Sequence, residues 1–193
     1  QVDPHVWMDV SLWGRTVAPI VAALCQKDPE GKEFYEQRAK KIYEEMIEFH
    51  EQLKMQFAQI PESKRYLVTS HDAFAYFTRA YLSTPEERRI GTWRKRFAAP
   101  EGIAPEGQLG TGDLRKIVEY LVEYQVRVVF PESNVSQDSL RKIVLACREK
   151  NVTVEFSQKA LYGDSMPPAD SMSGSYLGML GANAVVLIEA WKQ

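Results

Sequence analysis

Only two cysteines and three histidines occur in 193 residues, and no apolar run approaches the ~20 residues that a membrane-spanning helix needs. A helical membrane anchor within the chain is therefore excluded. Cys25 and Cys147 lie far apart, which also excludes the dense disulfide framework of a small secreted domain. Each sits in an apolar helical pattern and reads as a buried free thiol, so the redox compartment stays open. No positively charged start followed by an apolar stretch and a cleavage site is present, so an export signal is expected upstream of Gln1 if the protein is exported.

An excess of positive charge is missing too. The 24 Lys and Arg against 26 Asp and Glu give a formal charge of -2, whereas neutralising a phosphate backbone takes a clearly basic face. Nucleic acid is not an expected partner. The one basic run, "RRIGTWRKRF", is short and reads as a solvated loop or a dock for an acidic partner. There is no GxSxG elbow, no Walker loop and no GxGxxG. Ser70, His71 and Asp72 are consecutive, and successive side chains at a strand end point to opposite faces, so they do not line up as a hydrolytic triad.

What remains is the composition of a globular protein, 45% hydrophobic and 26% charged, long enough for one domain or a domain with an appendage. Apolar residues recur at helical spacing from Val6 to about Leu24, and "QKDPEGKE" then supplies a turn. From about Glu33 to Ile60, the residues Ile42, Met46, Phe49, Leu53, Phe57 and Ile60 fall on steps of three and four, predicting an amphipathic helix of roughly 40 Å. Beyond Pro61 the pattern alternates. "RYLVTS", "RRIGTW", "VRVVFPE" and "VTVEF" read as strands. "HDAFAYFTRAYL", "LRKIVEYLVEY", "SQDSLRKIVLACREK" and "GSYLGMLGANAVVLIEAW" read as helices, and "APEGIAPEGQLGTGD" reads as a loop. The expected fold class is α/β, with a mainly parallel sheet flanked by helices and preceded by the long helix.

In such a sheet, ligands sit beyond the carboxyl ends of the strands. His71 and Asp164, the latter preceded by Gly163, are placed there. At a helix N-terminus an imidazole tends to stay neutral and able to donate a lone pair, so His71 suits a metal ligand; capping that helix is the alternative. His5 is stiffened by Pro4 and has Trp7 to pack beside it, which suits a site that must not rearrange; a structural role is equally open. His50, in the middle of the long helix, reads as a surface or flank residue.

Three segments taken together resemble one family, the metal-binding solute-binding proteins of bacterial ABC importers, the TroA/ZnuA/PsaA-like group that carries Mn, Zn or Fe. "DPHVWMD" is similar to the segment that supplies this family's second histidine ligand, and "SHDAFAYFTRAYL" to the one that supplies the third. "LYGDSM" followed by "SGSYLGML" resembles the segment with the final aspartate. The ordered set covers nearly the whole chain. It departs from the family where Gln108, Leu109 and Gly110 stand in place of Glu-Pro-Ser.

The resemblance implies that His5, His71 and Asp164 are metal ligands, three of four expected, with Asp164 preferred to Asp170 and with no catalytic residue. Glu132, at another strand end, is expected to bond a ligand's outer nitrogen or to serve as a structural loop carboxylate. The family has two α/β lobes joined by one long helix, with the metal between them. The chain then reads as the tail of the N-terminal lobe (1–30), the linking helix (31–62) and the C-terminal lobe (63–193), a fragment in which His5 is expected to be the least firmly held ligand.

The implied job is extracytoplasmic capture, in the periplasm or at the cell surface, of a divalent transition metal (Fe, Mn or Zn). Delivery would be to the permease subunit of an importer, with the protein acting as a monomer and not as an enzyme. Imidazole with carboxylate is a borderline donor set, so the choice of metal does not follow from it. Two alternatives stand beside this reading: a metal-dependent hydrolase with Glu132 as general base, and an adhesin or interaction module without metal transport.

Overall fold

Asp9 sets the first regular element. Its carboxylate accepts the backbone N–H groups of Ser11 and Leu12 and so caps helix α1 (Val10–Trp13). The computed structural model describes residues 2–100 and 111–192. The single helix expected from Val6 to Leu24 is instead broken into 3-10 turns at Val6–Met8 and Gly14–Thr16, α1 between them, and α2 (Val17–Lys27). Asp9, extended as the cap of α1, makes the first break, and Pro19 accounts for the turn at Gly14–Thr16, because its ring clashes with the carbonyl four residues back, at Arg15, and it has no N–H to bond there.

The long helix is present as α3 (Lys32–Ala58). Its C-terminal half buries Met46, His50, Leu53 and Phe57, while Ile42 in the N-terminal half is 43% exposed. Two expectations are thereby corrected: Ile42 lies outside the buried stripe, and His50 lies inside it.

Strand β1 (Leu67–Val68) leads through His71 into α4 (Ala75–Phe77), which continues as a π-helical turn at Thr78–Leu82. The strand expected at "RRIGTW" is not formed. Pro85 and a reciprocal Thr84–Glu87 capping box start α5 (Pro85–Ile90), and Gly91, at φ +79°, ends it before a 3-10 turn at Thr92–Arg96. Strand β2 (Phe97–Ala98) follows. The expected "APEGIAPEGQLGTGD" loop lies mostly on residues 101–110, outside the described residues, as do Gln108, Leu109 and Gly110, and its last three residues, 111–113, are instead the first turn of a helix. The remaining elements are α6 (Thr111–Glu123), β3 (Val128–Val129), α7 (Asp138–Glu149), β4 (Glu155–Phe156) and α8 (Tyr176–Lys192).

The strands pair in parallel, β1 with β2 and β3 with β4, and a parallel bridge between Thr69 and Phe130 joins the two pairs. The spatial order is β2-β1-β3-β4. Neighbouring strand residues face opposite sides, as the pleat requires. Leu67, Val128 and Phe130 join one core with Phe57, Phe77 and Trp191, whereas Val68 and Val129 join a second with Leu121, Leu140 and Ile143. Both faces are covered, which explains why "VRVVF" is continuously apolar. Cys147 is buried, Cys25 is half-buried, and both are free thiols. No helix among the described residues is long and apolar enough to cross a membrane.

Candidate metal centre

Three side chains from distant parts of the sequence meet beyond the carboxyl ends of β1, β3 and β4. One donor atom from each of His5, His71 and Asp164 lies within 4.8 Å of the others. His5 Nε2 is 3.2 Å from Asp164 Oδ1, and His71 Nε2 is 3.1 Å from Asp164 Oδ2. The two imidazoles stand edge to face at 5.5 Å. His5 and His71 are buried, and Asp164, whose side chain is 30% exposed, opens the cluster to solvent. Asp170 is exposed and outside the cluster.

Both histidines are gripped in the same way. The His5 backbone N–H donates to Asp3 Oδ1 at 2.9 Å, and His5 Nδ1 is 2.7 Å from that oxygen. The His71 backbone N–H donates to Glu132 Oε1 at 2.9 Å, and its Nδ1 is 2.8 Å from Glu132 Oε2, a contact that is close but off-line for an ideal hydrogen bond. A carboxylate behind Nδ1 favours a proton there and turns Nε2 toward the cluster, where its lone pair serves a metal once Nε2 is deprotonated. Of the two roles open to Glu132, the one beside a histidine's outer nitrogen is the one its position matches.

His5 is not loosely held. Trp7 packs edge to face against its ring at 5.4 Å and donates its indole N–H to the Gly163 carbonyl at 3.0 Å, while the Tyr176 hydroxyl donates to the Trp7 carbonyl at 2.7 Å. The expectation that His5 would be the least firmly placed residue is corrected by these ties to the loop that carries Asp164 and to α8.

The charge balance around His71 also differs from expectation. Burial disfavours the imidazolium, but Glu132 and Asp164 outweigh it and raise the pKa above the usual histidine value. No strong helix terminus opposes them, because α4 is one short turn. Burial, reinforced by Asp3, pushes the Asp72 carboxyl up, and its Oδ1 has no hydrogen-bond partner among the described residues. The cluster is thus rich in carboxylate and poor in positive charge. Donors on a tetrahedron of ~2.0–2.1 Å bonds sit about 3.3 Å apart, close to the separations from the two Nε2 atoms to Asp164. The arrangement suits a cation.

Sequence reasoning missed Asp3 as a partner of His5. The signal was present: an aspartate two residues before an N–H that its side chain can accept is an Asx-turn pattern. Gly163 is a second such residue, since a Cβ there would lie 2.5 Å from Glu132 Oε2 and 3.1 Å from the Ala73 side chain. Gly163→Ala is therefore expected to displace Glu132 from His71 and to cost about 1–3 kcal/mol in chemical denaturation, with the His71 ring resonances shifted in NMR spectra.

The family model described as zinc-uptake complex component A, periplasmic (ZnuA), matches residues 1–190. The chain is 44% identical over 131 residues to the metal-binding protein YtgA of Chlamydia pneumoniae, which covers 68% of this chain and 40% of that protein. It is 32% identical over 190 residues to the manganese-binding lipoprotein MntA of Bacillus subtilis (strain 168), covering 98% of this chain and 58% of MntA. Among solved structures, Fe(III)-bound YtgA from Chlamydia trachomatis superposes with a TM-score of 0.90 at 38% identity, covering 98% of this chain and 63% of that one. The chain spans less than two thirds of the length of each of these relatives.

Proposed function

We propose, from the premise that this chain belongs to the periplasmic zinc-uptake component A (ZnuA) family, that it captures a divalent transition metal outside the cytoplasm for delivery to the membrane subunits of an ABC importer. One observation carries the reading. The two Nε2 atoms converge on the two oxygens of Asp164, each ring held from behind by its own carboxylate.

His5, His71 and Asp164 are the ligands in this reading, and they leave at least one coordination position to a donor beyond the three. Asp3 and Glu132 raise the basicity of the rings and hold their orientation. The ion supplies the positive charge that the carboxylates otherwise draw from a proton on His71. Binding therefore displaces that proton, and affinity falls on acidification. Fe, Mn and Zn all accept imidazole and carboxylate donors, and selection among them rests on geometry and supply. Helix α3 is the joint to a preceding lobe to which residues 1–30 belong.

A hydrolase with Glu132 as general base is disfavoured by the geometry. Both Glu132 oxygens face His71 and the residue is 1% exposed, so it has no free lone pair aimed at a water.

Calorimetric titration with zinc, manganese(II) or iron(II), checked by elemental analysis, is expected to give one ion per chain. Glu132→Gln is expected to weaken binding about 10- to 100-fold. Absence of stoichiometric binding of all three ions by the wild-type chain would sink the reading.

A further inference from the structure

Besides the metal centre, the chain holds a second buried cluster of titratable side chains, made by residues that touch none of the three proposed ligands. His50 on α3 is buried, and its Nδ1 is 3.0 Å from the Tyr81 hydroxyl. The same hydroxyl oxygen accepts the Val10 backbone N–H at 3.1 Å. Asp9, buried and engaged in capping α1, has its Oδ1 3.7 Å from His50 Nδ1. Three segments meet here: the stretch that carries His5, the long helix, and the turn that follows His71.

One direction of the hydrogen bonds accounts for all the groups. Tyr81 already accepts from Val10, and burial pushes its phenol up, so it keeps its proton and donates it. The acceptor in reach is His50 Nδ1, which must then carry a lone pair. In this arrangement His50 is a neutral imidazole with its proton on Nε2, which lies 4.0 Å from Glu51 Oε1. A second proton cannot be added without breaking the chain from Val10 through Tyr81 to His50. The new Nδ1–H has one anionic neighbour, Asp9, whose carboxylate is needed at the start of α1.

We propose that Asp9, His50 and Tyr81 form a proton-sensitive coupling that positions the His5-bearing segment, so that protonating His50 loosens a metal ligand it does not touch. The groups facing His50 are Asp9 from the first segment, Tyr81 from the π-helical turn, Glu51 and Lys54 from α3, and Arg88 from α5, with Tyr176 of α8 beside Asp9 and Tyr81. Burial is the largest influence on His50 and lowers its pKa, with Lys54 and Arg88 acting in the same direction and Asp9 and Glu51 against it. A histidine whose folded pKa is depressed favours the fold above its unfolded value of ~6.5, and that contribution is lost as pH falls from there through the folded pKa. The coupling is therefore closed at neutral pH and opens on acidification.

This inference rests on the metal-capture reading for its consequence but not for its detection. In the metal-free chain, 15N NMR at pH 7.5 is expected to show His50 Nδ1 unprotonated, and the Val10 and His5 resonances are expected to shift together as His50 titrates. His50→Gln, which keeps an acceptor and cannot be charged, is expected to abolish that shared shift. A protonated Nδ1 at pH 7.5, or unchanged shifts in the variant, would overturn the proposal.

Zinc titrations then read the consequence. Between pH 7.5 and 5.5 the affinity of His50→Gln is expected to fall about three- to tenfold less than that of the wild type, and Tyr81→Phe is expected to bind about three- to tenfold more weakly at pH 7.5. Equal pH profiles for His50→Gln and the wild type would overturn the coupling. Zinc binding by neither, with the NMR coupling intact, would overturn the metal reading alone.

Discussion

With His71 replaced by alanine, zinc no longer raises the unfolding temperature of the chain. The wild type is expected to gain RT ln(1 + [L]/Kd), which is about 4 kcal/mol at ~1,000 times Kd. For a chain of this length that corresponds to roughly 8–16 °C. His71→Ala removes one of three converging donors and, in the same stroke, the group that Glu132 was placed to hold. Among the described residues, Glu132 then keeps only the backbone N–H of residue 71 as a partner in the core. A buried carboxylate that loses its partner costs ~3–5 kcal/mol, so the metal-free variant is also expected to unfold at a lower temperature.

Asp164→Ala separates the two effects. It removes the most exposed donor and leaves Glu132 and His71 together, so it is expected to abolish the zinc response while changing metal-free stability much less. Differential scanning fluorimetry of the three proteins with and without zinc checks both. A zinc-induced rise in either variant equal to that of the wild type would remove its residue from the site.

The candidate site was legible in the sequence chiefly through the family resemblance of three segments, whose key residues sit where chain direction changes. His71 follows a β-rich run, Asp164 follows a glycine in a strand-exit loop, and His5 follows a proline. Such positions carry local signals. Of the partners behind the ligands, Glu132 was named for such a role but not its ligand, since the pairing with His71 is a contact 61 residues apart formed where the bridge between Thr69 and Phe130 aligns the strands. Asp3, beside His5 in sequence, was missed.

His50 was misread for a related reason. Between Phe49 and Glu51, its spacing places it on the same stripe as Met46, Leu53 and Phe57, but a polar residue on an apolar stripe is read as a flank until its partner is known. Tyr81 is that partner, 31 residues away. No strand forms at "RRIGTW" because the Thr-Pro-Glu-Glu that precedes it is a helix start with a complete capping box.

The second large effect is expected far from any charge. Phe57 is fully buried near the C-terminal end of α3, with ring centroids 5.5 Å from Phe77, 6.4 Å from Tyr81 and 6.1 Å from Trp191. These partners belong to α4, the π-helical turn and α8, so one side chain joins the long helix to three segments of the sheet domain. Phe57→Ala is expected to cost about 3–5 kcal/mol, the transfer term plus an uncollapsed cavity, which is a large share of the ~5–15 kcal/mol that holds a domain together. Ile42→Ala, on the same helix but 43% exposed, is expected to stay within about 1 kcal/mol. Urea denaturation followed by circular dichroism distinguishes them by midpoint. The contrast also bears on the metal centre, because Tyr81 holds the Val10 N–H and the turn containing it follows His71. A cavity beneath Tyr81 is therefore expected to weaken zinc binding as well as the fold, whereas an equal midpoint shift in the two variants would show that α3 is not anchored through Phe57.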